Sequence, residues 1–225
     1  MYRPKARATA RLLQTPLAND VPRGRLGQAA AWVGVLVVLA GLLAGCERER
    51  EPLPVVAQVP PFSLLDQHGA EMTADSLRGD VWIANFIFTS CPDVCPLLTK
   101  KMADVRLGLV RRGMDVRFVS FSIDPQTDTP PVLLAYAEKR GAAHADWSFL
   151  TGPLDDVKAV VVSGFKQTVE PDPERPDNIL HGSHFVLIDR RGAIRGFFRS
   201  DPNGLLDLSL AARTLAQEPA EEPTP

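Results

Sequence analysis

Phe88-Thr89-Ser90-Cys91-Pro92-Asp93-Val94-Cys95-Pro96 decides the fold, because it sets two of the three cysteines directly after the apolar run Val81 to Phe88. A buried strand that turns into a helix at a dithiol implies redox chemistry or a soft metal. With the helix starting at Pro92 and Cys91 at its N-cap, the i, i+4 relation puts both sulfurs on one face, their Cβ atoms about 5–6 Å apart. The Cα separation, about 6 Å in an ideal helix, also lies within disulfide range. Geometry thus leaves a metal clamp and a redox couple both open. Pro92 suits the first helical position, whereas Pro96 has no N–H to donate. The Cys-to-Cys turn is therefore expected to be tight and irregular, with regular helix secure only beyond Pro96. The positive helix end favours the thiolate that either chemistry needs.

Working outward, the N-terminus says where this chemistry happens. Arg3, Lys5, Arg7, Arg11, Arg23 and Arg25, against the single acid Asp20, precede an uncharged stretch from Ala29 to Ala44 that runs into Gly45-Cys46. These 16 residues are short for a membrane span, which needs about 20, and small residues before a cysteine suit a signal peptidase. Residues 1–45 are expected to be a lipoprotein signal peptide and Cys46 the lipidated first residue of the mature protein. The plainer alternative is an uncleaved anchor with Cys46 incidental. Either way the domain is exported and held at a membrane of the cell envelope. Beyond the leader the chain has 19 basic and 26 acidic residues, formally −7, which argues against nucleic acid as a partner. With Cys46 assigned to lipid, Cys91 and Cys95 form one pair in a compartment that permits disulfides. One pair is no structural framework.

The order of elements follows from periodicity and turn residues. Phe62 to Ala70 reads as a strand entering a Gly turn, Glu71 to Thr73 as its return, and Ser76 to Gly79 as a helical turn. Val81 to Thr89 reads as a buried strand, and Leu98, Met102, Val105 and Leu109 mark a helix over Leu97 to Arg112 that stops at Gly113. Val116 to Ile123 and Trp147 to Leu150 read as strands, and Pro130 to Arg140 and Leu154 to Phe165 as helices. A hairpin over Phe185–Asp189 and Ala193–Arg199 precedes a last helix, Leu205 to Ala216. This alternation predicts an α/β fold, one mixed sheet flanked by helices in a single domain over 60–217, with a flexible tether at 46–59 and a disordered tail at 218–225. Trp82 and Phe86 share a strand face and are expected in the core.

A dithiol at the strand-to-helix junction of this pattern is the thioredoxin-like arrangement. Cys91-Pro92-Asp93-Val94-Cys95-Pro96, Ile123-Asp124-Pro125 with Asp128-Thr129-Pro130, and His181 before the strand Phe185-Val186-Leu187-Ile188-Asp189 together resemble the Sco/SenC family of copper-binding proteins. The resemblance covers about Pro60 to Ala216. It implies a thioredoxin-like fold, one copper ion held by two cysteines and one histidine, and a role in assembling the copper centre of cytochrome c oxidase. Carried over residue by residue, the ligands are Cys91, Cys95 and His181. Coordination chemistry points the same way, since two thiolates and one imidazole suit Cu(I) and can adapt to Cu(II), whereas a structural zinc site normally takes a fourth protein ligand.

The four histidines divide unequally. His68, at a turn, and His144, in a Gly-Ala loop, read as solvated polar residues. His181 lies eleven residues before Gly192, where the resemblance places the ligand, and His184 reads as a neighbour lining the site. The preceding stretch Gln167 to Leu180, with three prolines and four acids, reads as a mobile surface loop that delivers the histidine when metal arrives. Of the acids, Asp93 in a first helical turn is ordinary dipole stabilisation, Asp128 before Thr129-Pro130 is a helix cap, and Asp124 at a strand end is the one that could reach the cysteines.

The reading is therefore a membrane-tethered copper metallochaperone. It delivers copper, with or without thiol-disulfide exchange, to the copper-binding subunit of cytochrome c oxidase or to another copper or thiol protein. The rival class is a metal-free thiol-disulfide oxidoreductase or thiol peroxidase of the cell envelope using Cys91 and Cys95 as its redox pair. Thioredoxin-type reductants have two residues between their cysteines and this chain has three, and Thr89 is thin support for a peroxidase. A reductase has no use for His181.

Overall fold

The computed structural model describes residues 52–166, 169–171, 179–181 and 183–219, with only the backbone described at 169–171 and 179–181. Cys46, the expected leader and all but the start of the expected tail lie outside the described residues.

Every residue of β4 (Trp82–Ile87) is buried, because helices or loops cover both faces of the sheet around it. β4 pairs in parallel with β5 (Arg117–Ser122), and β5 pairs in parallel with β6 (Trp147–Leu150). On its other side β4 pairs antiparallel with β9 (His184–Ile188), which forms a hairpin with β10 (Ala193–Arg199). The two-residue strand β1 (Ala57–Gln58) closes the order β1-β10-β9-β4-β5-β6. The mixed α/β sheet anticipated from the sequence is thus present, flanked among the described residues by four helices. β1 falls inside the stretch expected to be tether. Its placement rests on Val56 N–H donating to Ile194 O at 2.8 Å and on the Arg195 guanidinium, which donates to the carbonyls of Leu53 and Pro54.

α1 (Val94–Val110) buries Cys95, Leu98, Met102, Val105 and Leu109, a stripe at spacings of three and four, and the chain leaves it at Gly113 with φ +68. α2 (Pro130–Lys139) starts with proline just inside its Thr129 N-cap and buries Leu133, Tyr136 and Ala137. α4 (Pro202–Gln217) begins three residues ahead of the expected Leu205, because the Asp201 carboxylate accepts from Gly204 N–H at 2.9 Å and Pro202 opens the first turn. The helix expected over Leu154 to Phe165 is α3 (Leu154–Lys158) widening into π turns over Ala159–Gly164. The wider turns deliver Phe165 into an aromatic cluster with Trp82, Phe86 and Phe121, and Gly164 lets Pro60 approach closely. Outside the sheet, β2 (Ser63–Leu65) pairs with β3 (Glu71–Thr73). β7 (Val169–Pro171) pairs with β8 (Ile179–His181), so the stretch expected to be a loop is a ribbon at its two ends.

The β9–β10 turn is built on Asp189, whose carboxylate accepts from the N–H groups of Arg191 and Ala193, both at 2.9 Å, and pairs with Arg195 at 2.7 Å. Both side chains of the pair are only 11% exposed. Removing one partner of a buried pair leaves the other charge and two amides uncompensated. We predict that Asp189→Ala lowers unfolding free energy by about 3 kcal/mol in denaturant titration. A loss of less than about 1 kcal/mol, the worth of an exposed pair, contradicts this.

Candidate metal centre

The parallel strands fix one edge of the sheet as the site. The chain leaves β4 toward the cysteines, and it leaves β5 toward Asp124 and Asp128 at the same edge. β9 runs antiparallel to β4 with Ala84 opposite Val186, so the start of β9, with His184 and just before it His181, meets that edge as well. His144 precedes β6 and therefore lies at the opposite edge, and His68 sits in the exposed β2–β3 turn. Both are set apart from the cysteines.

The lead-in to α1 differs from the expectation. The N-cap is Asp93, without a side-chain capping bond, and the first helical residue is Val94, so Cys91 sits in a bend before the helix and Cys95 in its first turn. Pro96 does not delay the helix, because the first four N–H groups of any helix lack an intrahelical partner and a proline there forfeits nothing. Cys91 is 5% exposed and Cys95 fully buried, and neither is in a disulfide. Each sulfur faces a backbone donor: Cys95 N–H lies 3.4 Å from Cys91 Sγ, and Phe88 N–H lies 3.5 Å from Cys95 Sγ. Cys91 N–H closes the bend by donating to Phe88 O at 3.3 Å.

Burial pushes the Cys95 thiol far above its ordinary range, against the Phe88 N–H, which works the other way; the neighbouring Cys91 and the carboxylate of Asp128 push it further up. Without a cation Cys95 therefore stays a thiol at neutral pH, and a metal ion that binds there must displace the proton. Behind it, the Thr99 hydroxyl donates to Cys95 O at 2.9 Å and shares a 2.9 Å hydrogen bond with Tyr136, whose phenol burial raises to about 12. Tyr136 is thus a neutral clamp between α1 and α2.

Asp128 corrects the sequence reading most. The N-cap of α2 is Thr129, and Asp128 caps nothing. Its side chain is fully buried beside the cysteine loop, accepting from Thr89 N–H at 3.1 Å, from the Thr89 hydroxyl at 2.5 Å and from the Ser122 hydroxyl at 2.7 Å. Burial raises its pKa despite those bonds, with Asp124 adding to the rise. The signal was present in Thr129-Pro130, since a Thr-Pro pair at N-cap and first position puts the preceding aspartate outside the helix. Asp124, the acid singled out from the sequence, is half-buried just past the end of β5, where its own N–H donates to the Ser122 hydroxyl oxygen at 3.1 Å.

His181 ends β8 with its backbone paired to Val169, and its side chain lies outside the described residues; His184 is exposed at the head of β9. Among the described residues no group of three metal-ligating side chains is assembled. The dithiol supplies two donors. The third expected ligand belongs to a segment that the topology brings to the same edge.

A family model described as SCO1/SenC matches residues 51–205. The chain is 32% identical to the solved structure of a SCO1/SenC family lipoprotein from Bacillus anthracis, covering 75% of this chain and 99% of that one with a TM-score of 0.67. BsSco, a member of the Sco family of cytochrome c oxidase assembly proteins in which a disulfide switch was identified, is 31% identical over 76% of this chain and 100% of its own, also with a TM-score of 0.67. ScoI from Arabidopsis thaliana, solved with copper bound, is 26% identical over 70% of this chain and 99% of its own, with a TM-score of 0.61.

The unequal surroundings of the two sulfurs have a direct readout. In the reduced, metal-free protein at neutral pH, brief iodoacetamide treatment followed by peptide mass spectrometry should find Cys91 alkylated well ahead of Cys95. Equal labelling, or Cys95 first, contradicts the burial and hydrogen bonding described above.

Proposed function

We propose, on the premise that the chain belongs to the SCO1/SenC family, that it is a copper metallochaperone. In this reading Cys91, Cys95 and His181 hold one copper ion and pass it to the copper centre of cytochrome c oxidase. The observation that carries the proposal is the pair of buried sulfurs at the start of α1, each met by a backbone N–H, at the sheet edge from which β9 starts. Cu(I) with two thiolates and a neutral imidazole carries a net charge of about −1, which the N–H groups and the positive end of α1 offset. The copper-bound Arabidopsis relative supports the choice of ion.

The same pair supports a second step. Exchange with a disulfide of a partner protein joins Cys91 to Cys95: the two electrons pass from the thiolate pair to the partner's disulfide, which takes up two protons from water and leaves as a dithiol, and copper, having lost its thiolate ligands, is released. The disulfide switch identified in BsSco is in keeping with this addition.

The tether belongs to the proposal too. Cys46 is read as the lipidated first residue, in keeping with the lipoprotein from Bacillus anthracis. Among the described residues no helix is long and apolar enough to cross a membrane. Leu53 and Pro54 are already held by Arg195, so the chain between lipid and domain, residues 46–52, reaches at most about 25 Å when extended. The domain therefore works close to the surface that anchors it. Intact mass of detergent-extracted protein should show processing at Cys46 with attached lipid; an unprocessed chain retaining its leader contradicts it.

The copper claim is tested by chelator competition under anaerobic reduction. The wild type should bind one copper per chain and Cys91→Ser/Cys95→Ser none tightly. His181→Ala should lose about 100-fold or more in affinity, a first ligand being worth at least what an outer partner is, and His184→Ala far less. Unchanged affinity in His181→Ala, with strong metal-free disulfide reductase turnover, favours the oxidoreductase.

A further inference from the structure

We propose that Asp128 is a positioning residue for the dithiol, acting through Thr89 on the bend that carries Cys91 and aims a backbone donor at Cys95. For its metal readout the proposal rests on the copper reading above; for its redox readout it does not.

A fully buried carboxylate is costly unless its oxygens are hydrogen-bonded or ion-paired. Among the described residues Asp128 forms no ion pair, and its side chain is met only by neutral donors. None of those donors belongs to α2, which begins after Asp128. Two come from Thr89, in the loop between β4 and Cys91, and one from Ser122, at the end of β5. The Asp128 N–H is itself held by Asp124 O at 2.9 Å, so the carboxylate projects from an anchored turn.

The grip falls on one peptide group. Thr89 N–H and Phe88 C=O belong to the same plane; Asp128 holds its N–H side, while its C=O accepts from Cys91 N–H at 3.3 Å. The neighbouring N–H, that of Phe88, lies 3.5 Å from Cys95 Sγ. Releasing Thr89 lets that peptide rotate, which loosens the bend at Cys91 and turns the donor away from Cys95. The peptide that Asp128 holds meets Cys91 through its own carbonyl and meets Cys95 through the adjoining Phe88 N–H, so one carboxylate is linked to both cysteines across a single residue, Phe88.

The test uses Asp128→Ala, Asp128→Asn, Thr89→Val, Thr89→Ser and Ser122→Ala in the otherwise intact protein. The readouts are Cu(I) affinity by chelator competition, the dithiol-disulfide equilibrium of the metal-free protein against glutathione, and folding by circular dichroism. Asp128→Ala should weaken Cu(I) by about 10–100-fold, as loss of an outer partner does, and should shift the glutathione equilibrium. Asp128→Asn should restore most of both, since its amide oxygen can accept from Thr89 while its NH2 donates to Ser122. Ser122→Ala, which leaves the Thr89 bonds in place, should change affinity little.

Wild-type affinity and redox equilibrium in folded Asp128→Ala overturn the proposal. A loss in Asp128→Asn as large as in Asp128→Ala also overturns it, because charge rather than positioning would then be responsible. If Asp128→Ala does not fold, Thr89→Val against Thr89→Ser decides: a loss in Thr89→Val that Thr89→Ser does not share supports the proposal, and equal behaviour overturns it. Should the wild type bind no copper while Asp128→Ala still shifts the glutathione equilibrium, the copper reading fails and the positioning role stands.

Discussion

Two sulfurs buried where a strand ends and a helix begins impose the constraint on which the rest of this molecule depends. A thiolate out of water needs positive charge or donors aimed at it, and here the donors are the peptide N–H groups of Cys95 and Phe88. Only a backbone that leaves a fully buried strand and turns at once into a helix delivers both. The burial that pushes the Cys95 thiol upward also makes a cation the natural partner, because a metal ion repays the cost of removing the proton.

The surrounding packing holds that junction still. On one face of β4, Trp82 and Phe86 lock against Phe121 and Phe165, and the π turns after α3 are the local adjustment that brings Phe165 there. On the other face Tyr136 packs against Phe149 and shares its hydroxyl with Thr99, tying α2 to the carbonyl of Cys95. A polar thread continues along this side through Ser120, which links Asn85 to the Trp147 indole, and ends at Ser122 and Asp128. The dithiol thus stands at the meeting of two separately packed layers.

Much of this was legible because it is periodic or chemically explicit. The apolar run before Cys91 could only be a central strand, the stripe from Leu98 to Leu109 could only be a helix on it, and Trp82 and Phe86 do share a core face. What was missed depends on partners distant in sequence. Asp128 looked like a cap because local pattern cannot reveal that Thr89, 39 residues earlier, folds against it. The strand at Ala57–Gln58 looked like tether because two residues show no alternation, and it is the carbonyl of Ile194 and the side chain of Arg195 that fix it. The π turns carry no composition signal at all. His181 is assigned by resemblance, and its backbone ends β8 three residues before β9 begins.

The central claim is that one copper ion sits between both cysteines and a histidine. X-ray absorption at the copper edge of the reduced, copper-loaded protein measures this most directly, because sulfur and nitrogen neighbours scatter distinguishably. The account predicts two sulfur and one nitrogen neighbours, with the nitrogen lost in His181→Ala. A copper environment with fewer than two sulfurs, or one unaltered by His181→Ala, contradicts it.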